Sequence, residues 1–84
     1  LSFTNKDESF QIGLWEAKEG QVPALWNYDE FMYVLKGGIE MTDSSGSKLV
    51  IGPNEGVVVP TGWEGEFSVP ETVVKIWVIY DTSN

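Results

Sequence analysis

Turn signals punctuate this chain roughly every eight to twelve residues, and that spacing constrains its fold more than any other feature. They fall at Glu19-Gly20, Gly37-Gly38, residues 43–47 (DSSGS), residues 52–56 (GPNEG), Thr61-Gly62 and Pro70-Glu71. The intervals between them show no helical period. They are rich in Val, Ile, Phe, Trp and Tyr, which suit a pleated, half-buried surface. The chain therefore reads as all-β, with strands over residues 9–17, 22–26, 30–36, 38–43, 48–51, 56–59, 64–69 and 72–81. The first eight residues (LSFTNKDE) are polar and are expected to pair loosely or fray. There is no repeat, linker or low-complexity segment, so residues 1–84 are expected to form a single domain, an all-β sandwich or barrel.

Side-chain alternation sorts the faces. In residues 63–69, Trp63, Gly65, Phe67 and Val69 share one parity, and Glu64, Glu66 and Ser68 share the other. The first set belongs to the core. Residues 30–35 differ, because after Glu30 both parities are apolar: Met32 and Val34, against Phe31, Tyr33 and Leu35. Residues 72–80 behave likewise. Strands apolar on both faces are covered on both faces. One cover is the barrel interior. The other is either the N-terminal strand, with Phe10, Ile12 and Leu14, or a second subunit. A homodimer is expected, since so short a chain covers Phe31/Tyr33/Leu35 and Val74/Ile76/Val78 poorly by itself.

Composition removes several classes of chemistry. There is no His and no Cys, so an ordinary zinc or copper site, a disulfide and a Ser/His/Asp triad are excluded. No metal and no cofactor is expected. The net charge is −8, carried against five lysines and no arginine. Such a field repels nucleic acid and anionic membrane, and no guanidinium fork is present for a phosphate. The nine glycines sit in turns or singly, not in a phosphate-binding loop. No apolar run approaches a membrane span, and the opening residues lack a signal peptide's basic start and apolar stretch. With no cysteine, a reducing, cytoplasmic location is the expectation.

Two segments carry a resemblance. Glu30, the six residues FMYVLK and Gly37 match the second half of the first cupin motif, in which two histidines precede the Glu. Val57-Val58-Val59-Pro60-Thr61-Gly62 matches the centre of the second motif, in which a third histidine follows the Gly by three residues. The start IGLWEAKEG and the ending VPETVVKIWVI, with Lys75, resemble the small cupins grouped with ethanolamine-utilisation proteins and ureidoglycine aminohydrolase. The resemblance spans roughly residues 12–80 and implies a cupin-like double-stranded β-helix, a small jelly-roll barrel. It departs from the family at the metal ligands. The two upstream histidine positions fall on Ala24 and Trp26, or on Pro23 and Leu25, and the third falls on Gly65. Asn54-Glu55 stands where Gly-Asp is usual. Only Glu30 survives of four ligands, and a lone carboxylate does not hold a catalytic metal.

Three groups of residues are candidates for function. Glu30 should point inward with Met32, as a general acid or base, an anchor for a ligand, or a structural carboxylate bonded within the barrel. Lys75, inside VVKIWVI, is a pocket cation facing Glu30, an amine nucleophile, or an edge-strand lysine that snorkels to water. The four Trp, three Tyr and four Phe either line a stacking pocket or fill the space that metal and histidines would leave. Trp26 stands at a metal-ligand position of the motif, and Trp63, just after Pro60-Thr61-Gly62, is expected at the barrel mouth. Asp7, Glu8, Glu16, Glu19, Glu64 and Glu66 read as solvated faces.

The expected function is binding of a small organic metabolite without a transition metal, in a pocket of Trp26, Tyr28, Glu30, Met32, Trp63 and Lys75. The alternatives are a metal-independent enzyme using Glu30 as acid/base on a sugar, ureide or similar polar metabolite, and a non-catalytic module with a filled barrel.

Overall fold

The computed structural model describes residues 2–81, and the side chains of all of these except residues 21–25. Ala24, Pro23 and Leu25, three of the histidine positions considered above, therefore lie outside the described side chains. Nine strands follow one another among the described residues: β1 (Ser2–Thr4), β2 (Phe10–Ala17), β3 (Gly20–Leu25), β4 (Asp29–Lys36), β5 (Ile39–Asp43), β6 (Lys48–Ile51), β7 (Gly56–Val59), β8 (Glu64–Val69) and β9 (Val73–Tyr80). Every pairing is antiparallel. One sheet has the order β1-β2-β9-β4-β7 and the other β3-β8-β5-β6. No helix among the described residues is long and apolar enough to cross a membrane.

Residues 2–4 pair with β2 in register, Phe3 opposite Ile12, where the sequence suggested loose pairing or fraying. The polar residues that follow build the turn. The Asn5 carboxamide oxygen accepts from the Phe10 amide at 3.0 Å, and the Asp7 carboxylate accepts from the Ser9 amide and hydroxyl at 3.1 and 2.7 Å. Short side chains that bond nearby backbone stabilise turns.

The two sheets face each other across one core. Met32, Val34, Val59 and Val73 come from the first sheet, and Ile39, Met41, Ile51, Phe67 and Val69 from the second. Residues such as Met32, Val34 and Val73 are wholly buried, each stabilising the fold by about 1.5–3 kcal/mol. Gly37, which closes the Glu-x6-Gly motif, has φ of +80° and sits against the Thr72 backbone. Only glycine meets both conditions, so the motif's last residue is a requirement of the β4–β5 turn.

Two expectations change with this topology. Lys75 is no edge residue, because β9 lies in the middle of the five-stranded sheet, between β2 and β4. Nor do the N-terminal strands cover the outer face of β4 and β9. They lie in the same sheet, with Ile12 opposite Val78 and Leu14 opposite Ile76, and so extend that face. Phe31, Leu35 and Leu14 remain exposed on it.

Candidate functional site

The inner face of β4 and β9 carries two buried charges. Glu30 and Lys75 are each 6% exposed, while their neighbours Met32, Val34 and Val73 are apolar and fully buried. On β4, Glu30 lies opposite Ile79 of β9, and Lys75 of β9 lies opposite Val34. The two are thus four positions apart along the ladder. The Lys75 stem spans the gap alongside Met32. Its ammonium donates to the Met32 sulfur at 2.7 Å and to Glu30 Oε2 at 3.2 Å. The other Glu30 oxygen, Oε1, accepts from the Trp26 indole N–H at 2.8 Å. The ammonium also lies 4.9 Å from the Trp15 ring centroid and 5.5 Å from that of Phe67, within cation–π range. A buried ion pair is tolerable only when its groups are hydrogen-bonded, and here the ammonium and both carboxylate oxygens each have a partner. Burial pushes the Lys75 ammonium below its usual pKa, and the Glu30 carboxylate opposes the shift.

An open cleft of about 390 Å³ lies above this pair. Trp15, Trp26, Trp77 and Phe67 wall it, Tyr28 and Ile79 border it, and Glu30 and Lys75 form its polar floor. Trp26 is held by its backbone: its amide donates to the Trp63 carbonyl at 2.9 Å, and its carbonyl accepts from the Gly62 amide at 2.8 Å. The Pro60-Thr61-Gly62 turn is tied in turn to the start of β4. Asp29 Oδ1 accepts from the Thr61 amide at 2.8 Å and from its hydroxyl at 2.9 Å. These bonds hold the Asp29 carboxyl below its ordinary pKa. Burial raises the Tyr28 hydroxyl, and the carboxylates of Glu30 and Asp81 add to the shift.

Of the six pocket residues expected from sequence, Trp26, Tyr28, Glu30 and Lys75 meet in this cleft. Met32 and Trp63 do not line it. Met32 is closed over within the core and touches the site only through its sulfur. Trp63 meets Trp26 edge-on, 5.4 Å between centroids, and faces a smaller groove of about 180 Å³ beside Met41, Asp43 and Leu49. Trp15, Phe67, Trp77 and Ile79 are the additions. Trp77 and Ile79 share the parity of Lys75, and that signal was present in the sequence. Trp15 had none, because only the β2–β9 register sets it opposite Lys75.

The donor set does not fit the metal site of a cupin. Among the described residues, no group of three His, Cys, Asp or Glu side chains is placed to hold a metal ion. Both oxygens of Glu30 already accept from protein donors. The positive charge beside the carboxylate is the Lys75 ammonium. At Gly65, the third histidine position, an added Cβ would collide with the Thr42 carbonyl, so no side chain fits.

Comparison with known proteins agrees with this architecture. The family profile of the EutQ-like cupin domain matches residues 4–77. A curated relative, described as acetate kinase EutQ of Clostridioides difficile (strain 630), is 34% identical over 68 residues. That match covers 81% of this chain and 43% of the relative, so the chain spans less than half of that protein's length. The solved structure of the Clostridium difficile EutQ protein superposes with a TM-score of 0.85 at 29% identity, over 100% of this chain and 68% of that one. A DUF861 family protein of Thermotoga maritima superposes with a TM-score of 0.77 at 28% identity, over 81% and 77% of the two chains.

Proposed function

This chain belongs to the EutQ-like cupin family, and from that premise we propose that it binds a small, uncharged organic metabolite with a flat apolar face, without a transition metal. The observation that carries the reading is the neutral floor of the aromatic cleft. Glu30 and Lys75 cancel each other's charge, so a charged ligand gains little there. The walls are aromatic and offer stacking, and the cleft volume lies in the range of small-ligand sites. The Lys75 ammonium already pairs with Glu30, the one ligand-type residue that the motif keeps, which supports metal independence.

A second reading, favoured by the oriented and ionisable Glu30 at the cleft floor, is that the same site performs metal-independent acid/base chemistry on a sugar, ureide or similar metabolite. The kinase activity named for the longer relative is not carried over. This chain has no arginine and no phosphate-binding loop, and the one buried cation among the described residues is already paired. The lack of cysteine supports a cytoplasmic location, and the charge of −8 argues against nucleic acid and anionic membrane as partners.

The test is a metabolite panel screened by thermal shift and tryptophan fluorescence, in the presence of a chelator, and then for turnover. Glu30→Gln should abolish binding of any hit, and Glu64→Gln, exposed on β8, should leave it intact. Equal effects from the two changes would remove the case for a site here.

We also propose that the chain forms a homodimer through the outer face of the five-stranded sheet. Phe31, Leu35, Leu14 and Tyr80 are each 41–54% exposed on that face, with Ile76 and Val78 between them. Contiguous apolar surface on a sheet is characteristic of association sites, and a two-fold dimer is the default arrangement.

A further inference from the structure

The cleft places a buried primary amine, a carboxylate partner and aromatic walls around one small space. We propose that Lys75 is a nucleophile, condensing with an aldehyde or ketone held in the cleft to form an imine while Glu30 moves the protons. This rests on the reading of the cleft as a site for an uncharged organic ligand, and it names the class: an aromatic or conjugated carbonyl compound.

Several features set Lys75 apart from the other lysines. Lys6, Lys18, Lys36 and Lys48 are exposed. Lys75 alone has its side chain 8% exposed, against a carboxylate at 3.2 Å and over two aromatic rings. An amine that must act as a nucleophile has to shed its proton, and burial favours that loss. The proton has a direct acceptor in Glu30 Oε2. In a desolvated site, a neutral amine beside a carboxylic acid lies closer in free energy to the ion pair than it does in water. Trp26 holds the other carboxylate oxygen and so fixes which one faces the amine.

The step balances with these two groups alone. The ammonium proton passes to Glu30, and the free amine attacks the carbonyl carbon. The carbon–nitrogen bond forms and the carbonyl π pair moves to oxygen. Glu30 gives its proton to that oxygen and takes one from the nitrogen, giving the carbinolamine beside protonated Glu30. Glu30 then protonates the hydroxyl, which leaves as water while the nitrogen lone pair closes the C=N bond. The product is a protonated imine opposite ionised Glu30. The site therefore ends with the charge pair it began with, and no buried charge is left alone.

The experiment uses benzaldehyde as the probe and cyanoborohydride as the trapping reductant, near neutral pH with limiting aldehyde. Benzyl alcohol, which cannot condense, reports binding by quenching of tryptophan fluorescence. The expected result is one benzyl group per chain, mapped by peptide mass spectrometry to Lys75 and acquired about tenfold faster than by any exposed lysine. Lys75→Arg keeps a cation opposite Glu30 but removes the primary amine, and should lose the adduct at this position. If that variant does not fold, peptide mapping of the unaltered protein decides alone. Adducts spread evenly over the lysines, or an unmodified Lys75 in protein that binds benzyl alcohol, would overturn the imine and leave the binding site standing. Failure of both probes to bind would overturn both readings.

Discussion

Trp77 packs directly on Gly13. The two residues are paired across β2 and β9, and a Cβ on residue 13 would run into the six-membered ring of the indole. The glycine leaves the indole the space against the sheet from which it walls the cleft. Gly13→Val should drive Trp77 outward, reducing ligand binding and shifting its fluorescence, at a stability cost of about 1–3 kcal/mol for overpacking. Unchanged emission and binding in that variant would show that this contact does not shape the cleft.

Glu30 and Lys75 should behave as a unit. Glu30→Gln leaves a buried ammonium without its counter-charge and should cost ~3–5 kcal/mol in denaturant unfolding. The double variant Glu30→Gln with Lys75→Met should cost less than the sum of the single changes. A double-mutant cycle with zero coupling would show that the pair makes no joint contribution to stability.

Acid stability should depend on Asp29. Its two bonds from Thr61 lower its folded pKa beneath the ordinary 3.8, so the folded state binds fewer protons than the unfolded state in that window. The stabilisation is complete above pH 3.8 and is lost as the pH falls through the lowered value. Asp29→Asn should therefore lower Tm at neutral pH and narrow its gap from the unaltered protein as acid is added. A gap that stays constant below pH 4 would count against this linkage. Asp43 and Asp7, lowered by bonds from Ser45 and Ser9 respectively, should produce the same trend in both proteins.

Light scattering at micromolar concentration should give the mass of a dimer. Ile76→Lys, a charge in the middle of the outer sheet face, should shift that mass to the monomer while the cleft still binds its ligand. A monomer mass for the unaltered protein would rule out the dimer.

The strand pattern was legible because its causes are local. Alternation in residues 64–69 assigns Phe67 and Val69 to the core, and both are buried. The Gly37 turn is written in a residue type that alone tolerates its geometry. The inward direction of Glu30 follows from its parity with Met32 and Val34, and so does that of Lys75 from its parity with Val73. A period of two is a property of the extended backbone, and any reader of the sequence can count it.

Adjacency is a different kind of information. That β9 runs between β2 and β4 is decided when chain segments distant in sequence close into one sheet. This closure turned Lys75 from a candidate edge residue into a central one. It also set Trp15 opposite Lys75 and laid β2 beside the outer face instead of over it. The depth of Met32 and the turning of Trp63 toward the smaller groove depend on how the second sheet packs across the first. The sequence by itself determined which residues alternate inward and where the chain turns, because those are near-neighbour effects of backbone sterics. The tertiary structure alone decided which inward residues touch, and hence that Glu30, Lys75 and Trp26 share one hydrogen-bonded floor, because strand order and register are set by the free energy of the whole packed core.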